Sequence, residues 1–191
     1  MSGQPTGRYV GPYAVLHSRP VYENPWLKLR EDRVRREEVE STFGVVTMKA
    51  GVTVLPLETN GDVYLVREFK YGLGDYSLEA VSGALESGET PDQAGLRELG
   101  EECGLTATEW IDMGRIDPFT TVVHSPNHMF LARGLAKERR IRDPGETIEV
   151  VRMPLEDAFY AVLRGGITHG ASCVLILKAK LFLERRDGFR R

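Results

Sequence analysis

An α/β (α+β) chain, with a mixed sheet covered by helices on both faces and a small antiparallel β region ahead of it, is predicted by three observations on these 191 residues. Polar and apolar residues alternate from Tyr13 to Val46, the period of strands. Short β-rich runs then surround one strongly capped helical stretch at residues 90–104. Two further helical runs follow, one opened by Pro154 and one from Ala171 to Glu184. The expected division is an N-terminal β region at 1–48, serving as a dimerisation element, and a main domain at 49–191.

Each element has a local reason. Trp26, Leu27, Leu29 and Val34 mark strands in the first region. Thr53–Leu57 and Val63–Phe69 are stronger strands, and Asn60-Gly61 between them is a hairpin signal. Ser77–Val81 leads as a strand into a glycine-containing loop. Thr90-Pro91-Asp92-Gln93 then starts a helix, with an N-cap threonine, proline at the first helical position and glutamine completing a capping box. Gly104 supplies the stop. Strands are expected around 110–115, 127–132 and 147–152, and a helix from Pro154 through Leu163.

Composition narrows the function classes. A formal charge of −3 and a pI near 5.9 offer no global attraction to nucleic acid or to an anionic membrane. Cys103 and Cys173 are too few for a disulfide framework and read as buried reduced thiols. No apolar run has the length of a membrane span or the form of a signal peptide, so a cytoplasmic protein is expected.

The helix at 90–104 carries the chemistry. At about 100° per residue, Leu96, Leu99 and Cys103 share one side, and Glu98, Glu101 and Glu102 gather opposite, with Arg97 at the edge. Like charges one turn apart cost about 0.2–0.5 kcal/mol per pair. Acids in the last turn also oppose the helix dipole. A divalent cation reverses the sign of these terms, and hard carboxylate oxygens suit Mg²⁺, with Mn²⁺ as the alternative. A solvated acidic face is the plainer reading of a bare Glu-Glu pair.

Residues 83–105, GALESGETPDQAGLRELGEECGL, resemble the Nudix box, GX5EX7REUXEEXGU with U a bulky aliphatic residue. Gly83, Glu89, Arg97, Glu98, Leu99, Glu101, Glu102, Gly104 and Leu105 occupy its fixed positions. The resemblance implies a Nudix α/β/α sandwich and Mg²⁺-dependent hydrolysis of a pyrophosphate bond in a nucleoside diphosphate joined to another group. It also implies metal ligation by Glu98, Glu101, Glu102 and the Ser82 carbonyl, with Arg97 holding the glutamates in place. Such chemistry needs cations, because two negative phosphates repel the incoming water. Gly83 and Gly88 would let backbone approach metal and phosphate.

Outside the box, the chain is similar to the ADP-ribose pyrophosphatase branch, over residues 20–184. VYLVREFKY at 63–71 resembles the strand that carries basic substrate contacts, here Arg67 and Lys70. SLEAVSGALESGE at 77–89 resembles the approach to the box, with Glu79 and Gly83 as substrate contacts. GETIEVVRMPLEDA at 145–158 resembles the segment bearing a catalytic glutamate, which makes Glu146 the candidate base. Glu146 also follows Asp143-Pro144-Gly145 and reads equally as a turn acid. Trp26 is a candidate adenine stack across a homodimer, or an ordinary core or interface side chain. Thr120 departs from the branch, which carries a proline there. The implied partner is a nucleotide sugar, ADP-ribose first. Another nucleoside diphosphate sugar, a dinucleoside polyphosphate, an RNA cap and a non-catalytic sensor are the alternatives.

Overall fold

A computed structural model describes residues 7–138 and 148–188, and the chain divides into two compact units, Met1–Lys49 with Asp117–Pro126, and Ala50–Ile116 with Asn127–Arg191. The first unit is built on β1 (Tyr9–Val10), β2 (Tyr13–Glu23), β3 (Leu27–Arg36), β4 (Val39–Met48) and β10 (Val123–His124). They form one sheet in the order β1-β2-β3-β4-β10, antiparallel except for the parallel β4–β10 pair. The segment 117–126, assigned from the sequence to the main domain, joins this unit because β10 hydrogen-bonds to the outer edge of β4. Asn24 makes the β2–β3 turn by accepting the N–H groups of Trp26 and Leu27 at 2.9 and 2.8 Å.

The second unit contains β5 (Gly51–Pro56), β6 (Asp62–Lys70), β7 (Asp75–Glu79), β8 (Val81–Ala84), α1 (Pro91–Cys103), β9 (Leu105–Ile116), β11 (Asn127–Lys137), β12 (Glu149–Pro154), α2 (Leu155–Leu163) and α3 (Gly170–Gly188). One four-stranded sheet runs β8-β5-β11-β9, with β5 and β11 parallel, and a three-stranded antiparallel sheet runs β12-β6-β7. Alternation along β5 and β11 explains the layering. Val52, Val54, Phe130 and Ala132 pack with Ala94 and Leu99 of α1. Leu55, Met129 and Leu131, on the other face, pack with Leu175, Ile176 and Ala179 of α3. Helix on one face and helix on the other is the α/β/α arrangement expected.

Two local expectations change. The Asn60-Gly61 turn forms, with Glu58 N–H donating to Asp62 O at 2.8 Å and Gly61 at φ 91°. Beyond the single Leu57–Val63 bridge, however, β5 and β6 part into different sheets, since β8 and β11 already occupy both edges of β5. Likewise the single strand expected at 77–81 is broken at Ala80, where the chain passes from β7 in one sheet to β8 in the other. Cys103 and Cys173 are free thiols, but half-buried where full burial was expected. Among the described residues no helix is long and apolar enough to cross a membrane.

Candidate active site

The helix that carries the box acids is held at both ends by its own sequence. Thr90 sits in extended conformation as N-cap, its N–H donating to Gln93 Oε1 at 3.0 Å in a capping box, and Pro91 fills the first position. At the other end Gly104 adopts φ 65°, ψ 36°, and its N–H reaches the Leu99 and Gly100 carbonyls. Ala94, Leu99 and the close approach of Gly95 to Val54 and Trp110 seat the helix on the sheet. The acidic side is solvated at Glu101, whose side chain is 37% exposed, but not at the other two acids. Glu102 is only 7% exposed, and Glu98 is largely buried against β8.

Arg97 organises the acids. Its Nε and Nη2 donate to the two oxygens of Glu89 at 2.9 and 3.1 Å, Nη1 to Glu98 Oε1 at 2.8 Å and Glu101 Oε2 at 3.0 Å, and Nη2 also to the Ala84 carbonyl at 3.0 Å. One planar guanidinium thus ties β8 and three box glutamates together, Glu89 of the glycine loop and Glu98 and Glu101 of α1, a geometry that a lysine cannot reproduce. The Glu89 hydrogen bond, and next the charge and hydrogen bonds of Glu98 and Glu101, hold Arg97 above its ordinary pKa against the opposing effect of burial. The same hydrogen bond holds Glu89 below the usual carboxylate range.

Gly83 has a steric reason to be glycine. A Cβ built there would overlap the Glu98 carboxylate, so only a bare backbone lets Glu98 lie against β8. Gly88, in contrast, meets nothing, and its φ of 84° shows that it serves the turn. Ser82 is in β8, beside Thr53 of β5, and its N–H donates to Glu102 Oε2 at 3.3 Å. Glu79 ends β7 almost fully buried, with Lys70 Nζ at 4.0 Å from its Oε2. Lys70 is also paired to Glu68 at 2.5 Å. Burial pulls the Lys70 pKa down, but the Glu68 hydrogen bond and the charges of Glu79, Glu68 and Glu102 outweigh it, leaving it raised.

Not every candidate joins this cluster. Arg67 is one residue out of phase, its neighbour Val66 being the partner of Glu79 across the β6–β7 pair, so it points to the opposite face of the sheet. There it lies over the Tyr76 ring at 4.9 Å and 3.5 Å from Glu149. Trp26 belongs to the first unit and is 70% exposed, which excludes the core role. Glu146 lies outside the described residues. Sequence reading missed His169, whose Nδ1 is 3.3 Å from Glu79 Oε2 and 2.8 Å from Ser172 Oγ. Burial, against the pull of the Glu79 charge, holds the imidazole below its ordinary pKa. Its only sequence signal was its place just before an apolar helical run.

The donor set has the right chemistry for a hard divalent cation, with carboxylates on successive turns and a glycine cradle beside Glu98. Among the described residues no three carboxylate, imidazole or thiol groups converge as a preformed cluster. Glu98 and Glu101 instead face Arg97, and Glu102 faces the Ser82 amide.

Comparison with known proteins gives the chain its relatives. Residues 47–172 match the family described as NUDIX domain, and residues 14–38 match the nucleoside diphosphate sugar hydrolase N-terminal domain. The ADP-ribose pyrophosphatase of Bacillus subtilis (strain 168) is 36% identical over 126 residues, covering 62% of this chain and 65% of that protein. The ADP-ribose pyrophosphatase of Mycobacterium tuberculosis (strain ATCC 25618 / H37Rv) is 26% identical over 175 residues, 86% of this chain and 82% of that one. The chain thus spans just under two thirds of the Bacillus protein's length. A crystal structure of an ADP compounds hydrolase shares the fold, with a TM-score of 0.81 at 18% identity, over 94% of this chain and 98% of that chain.

Proposed function

The chain belongs to the Nudix family, in its ADP-ribose pyrophosphatase-like branch, and from that premise we propose that it is a pyrophosphohydrolase of nucleoside diphosphate sugars, with ADP-ribose as substrate and Mg²⁺ as cofactor. The observation that carries the reading is the Arg97 fork on Glu89, Glu98 and Glu101, set beside a glycine that makes room for Glu98. Such an arrangement uses a half-buried cation to keep carboxylates close together, which their mutual repulsion otherwise opposes. Cytoplasmic location is part of the proposal, with the free thiols of Cys103 and Cys173 in its favour.

The reaction is addition of water to one phosphorus of the diphosphate and rupture of its bond to the bridging oxygen, giving AMP and ribose 5-phosphate from ADP-ribose. Glu98, Glu101, Glu102 and the Ser82 carbonyl are the groups that would hold the divalent ions. When bound, those ions neutralise phosphate charge and lower the pKa of a coordinated water. Arg97 positions Glu98 and Glu101 through the two hydrogen bonds of its Nη1. Glu146 is the proposed acceptor of the water proton, with Glu101 next in line. Lys70 and Glu79 line the approach to the diphosphate, and Trp26 is assigned to the base across a homodimer.

Turnover of a panel containing ADP-ribose, other ADP-sugars, GDP-mannose, UDP-glucose, dinucleoside polyphosphates and capped RNA, with Mg²⁺ or Mn²⁺ and an EDTA control, tests this. Release of AMP preferentially from ADP-ribose, abolished by EDTA, is expected. No turnover of any member would overturn ADP-ribose as substrate and favour a substrate outside the panel or the non-catalytic sensor. Glu102→Gln should lose more than the ~10–100-fold typical of outer-shell changes at a metal site. Near-normal turnover of that variant would remove Glu102 from the metal set.

A further inference from the structure

Glu79 is a nearly buried carboxylate whose neighbours explain where it points. Lys70, 4.0 Å away, is beyond hydrogen-bond reach and already engaged by Glu68 at 2.5 Å. His169 Nδ1 lies closer, at 3.3 Å from Glu79 Oε2. A carboxylate has no proton to give, so this contact is attractive only with a proton on Nδ1. One turn into α3, the fully buried Ser172 presents its Oγ to the same Nδ1 at 2.8 Å and accepts the Ala80 N–H at 2.8 Å. The start of α3 therefore grips two consecutive residues, the Glu79 side chain and the Ala80 backbone. Ala80 is where the chain changes sheets, immediately before Ser82 and Gly83 of the box strand.

We infer that His169 is a positioning residue of this site. Its Nδ1 fixes the Glu79 carboxylate toward the diphosphate approach, while Ser172 pins the Ala80 corner beneath it. The inference rests on the proposed hydrolase reading for its functional consequence, but the pairing itself stands on geometry. Without His169, the charged neighbour left to Glu79 is a lysine 4.0 Å away that is already paired with Glu68.

The experiment compares wild type, His169→Ala, His169→Asn, Glu79→Gln and the double variant His169→Ala/Glu79→Gln for kcat and KM with ADP-ribose and Mg²⁺. In parallel, the imidazole ¹⁵N resonances of His169 are recorded in wild type and in Glu79→Gln. His169→Ala is expected to lose about 10–100-fold in kcat, the range of outer-shell changes at such sites. His169→Asn, whose amide N–H can stand where Nδ1–H stands, should recover most of that loss. The double variant should be no slower than Glu79→Gln, and the Nδ1 resonance should move in Glu79→Gln. Unchanged kcat in His169→Ala, or losses that multiply in the double variant, would overturn the positioning role. If wild type itself has no turnover, the ADP-ribose reading fails separately. The Nδ1 resonance then decides the pairing, and its indifference to Glu79→Gln would sink it.

Discussion

Arg97 and Gly83 are two halves of one device at the scale of single residues. Arg97 supplies the charge and the donor fork that keep Glu89, Glu98 and Glu101 together, and Gly83 supplies the space into which Glu98 lies. Gly83→Ala should therefore displace the Glu98 carboxylate and raise the half-saturating Mg²⁺ concentration, with little change in melting temperature because the atoms in the way are the tip of a flexible side chain. A Mg²⁺ titration of activity beside a thermal melt measures both, and an unchanged titration would contradict the cradle. Arg97→Lys keeps the charge but loses the fork, so a loss of about 2 kcal/mol in a denaturant titration is expected from broken charge-assisted hydrogen bonds. The identities of these residues were legible in the chain, because their spacing is local to one loop and one helix. The direction in which Arg67 points was not, since a shift of one position in the β6–β7 register would have turned it to the other face.

At the scale of elements, α1 shows how completely a local code can be written. Thr90, Pro91, Gln93 and Gly104 fulfil their expected roles at its two ends. Gly104→Ala should destabilise by about 1–2 kcal/mol, since φ 65° is the left-handed region that a Cβ opposes. The β2–β3 pair carries a second device, in which the buried Asp32 accepts from Ser18 at 2.5 Å and from Arg30 at 3.0 Å. Burial pushes the Asp32 pKa up, but the Ser18 and Arg30 hydrogen bonds outweigh it and hold the carboxyl below its ordinary value of 3.8. A pKa depressed by folding means stability that is present above 3.8 and lost as pH falls below it. Asp32→Asn should accordingly be less stable than wild type at neutral pH, and the gap should narrow in melts recorded progressively below pH 3.8. A gap that stays constant would show that the carboxylate contributes nothing by its charge.

Across the whole molecule, the proposed homodimer is assigned to the first unit, whose strands leave Tyr9, Tyr22 and Val39, and whose β2–β3 turn leaves Trp26, well exposed. Sedimentation equilibrium should find a dimer, and dilution should lower the melting temperature, because association stabilises by mass action. A monomer at all concentrations would remove Trp26 from any role across an interface.

Strand alternation, the caps of α1, the turn at Asn60-Gly61 and the box acids with Arg97 were determined by the sequence alone, because each depends on neighbours a few residues away. Tertiary structure alone decided that β5 and β6 enter different sheets, that 117–126 joins the first unit through β10, and that α3 brings His169 and Ser172 to Glu79 and Ala80. Those outcomes depend on which strand edges remain open and on contacts between residues some ninety positions apart along the chain, as Ala80 and Ser172 are. No local periodicity encodes such a meeting; it follows from how the packed layers return the chain upon itself.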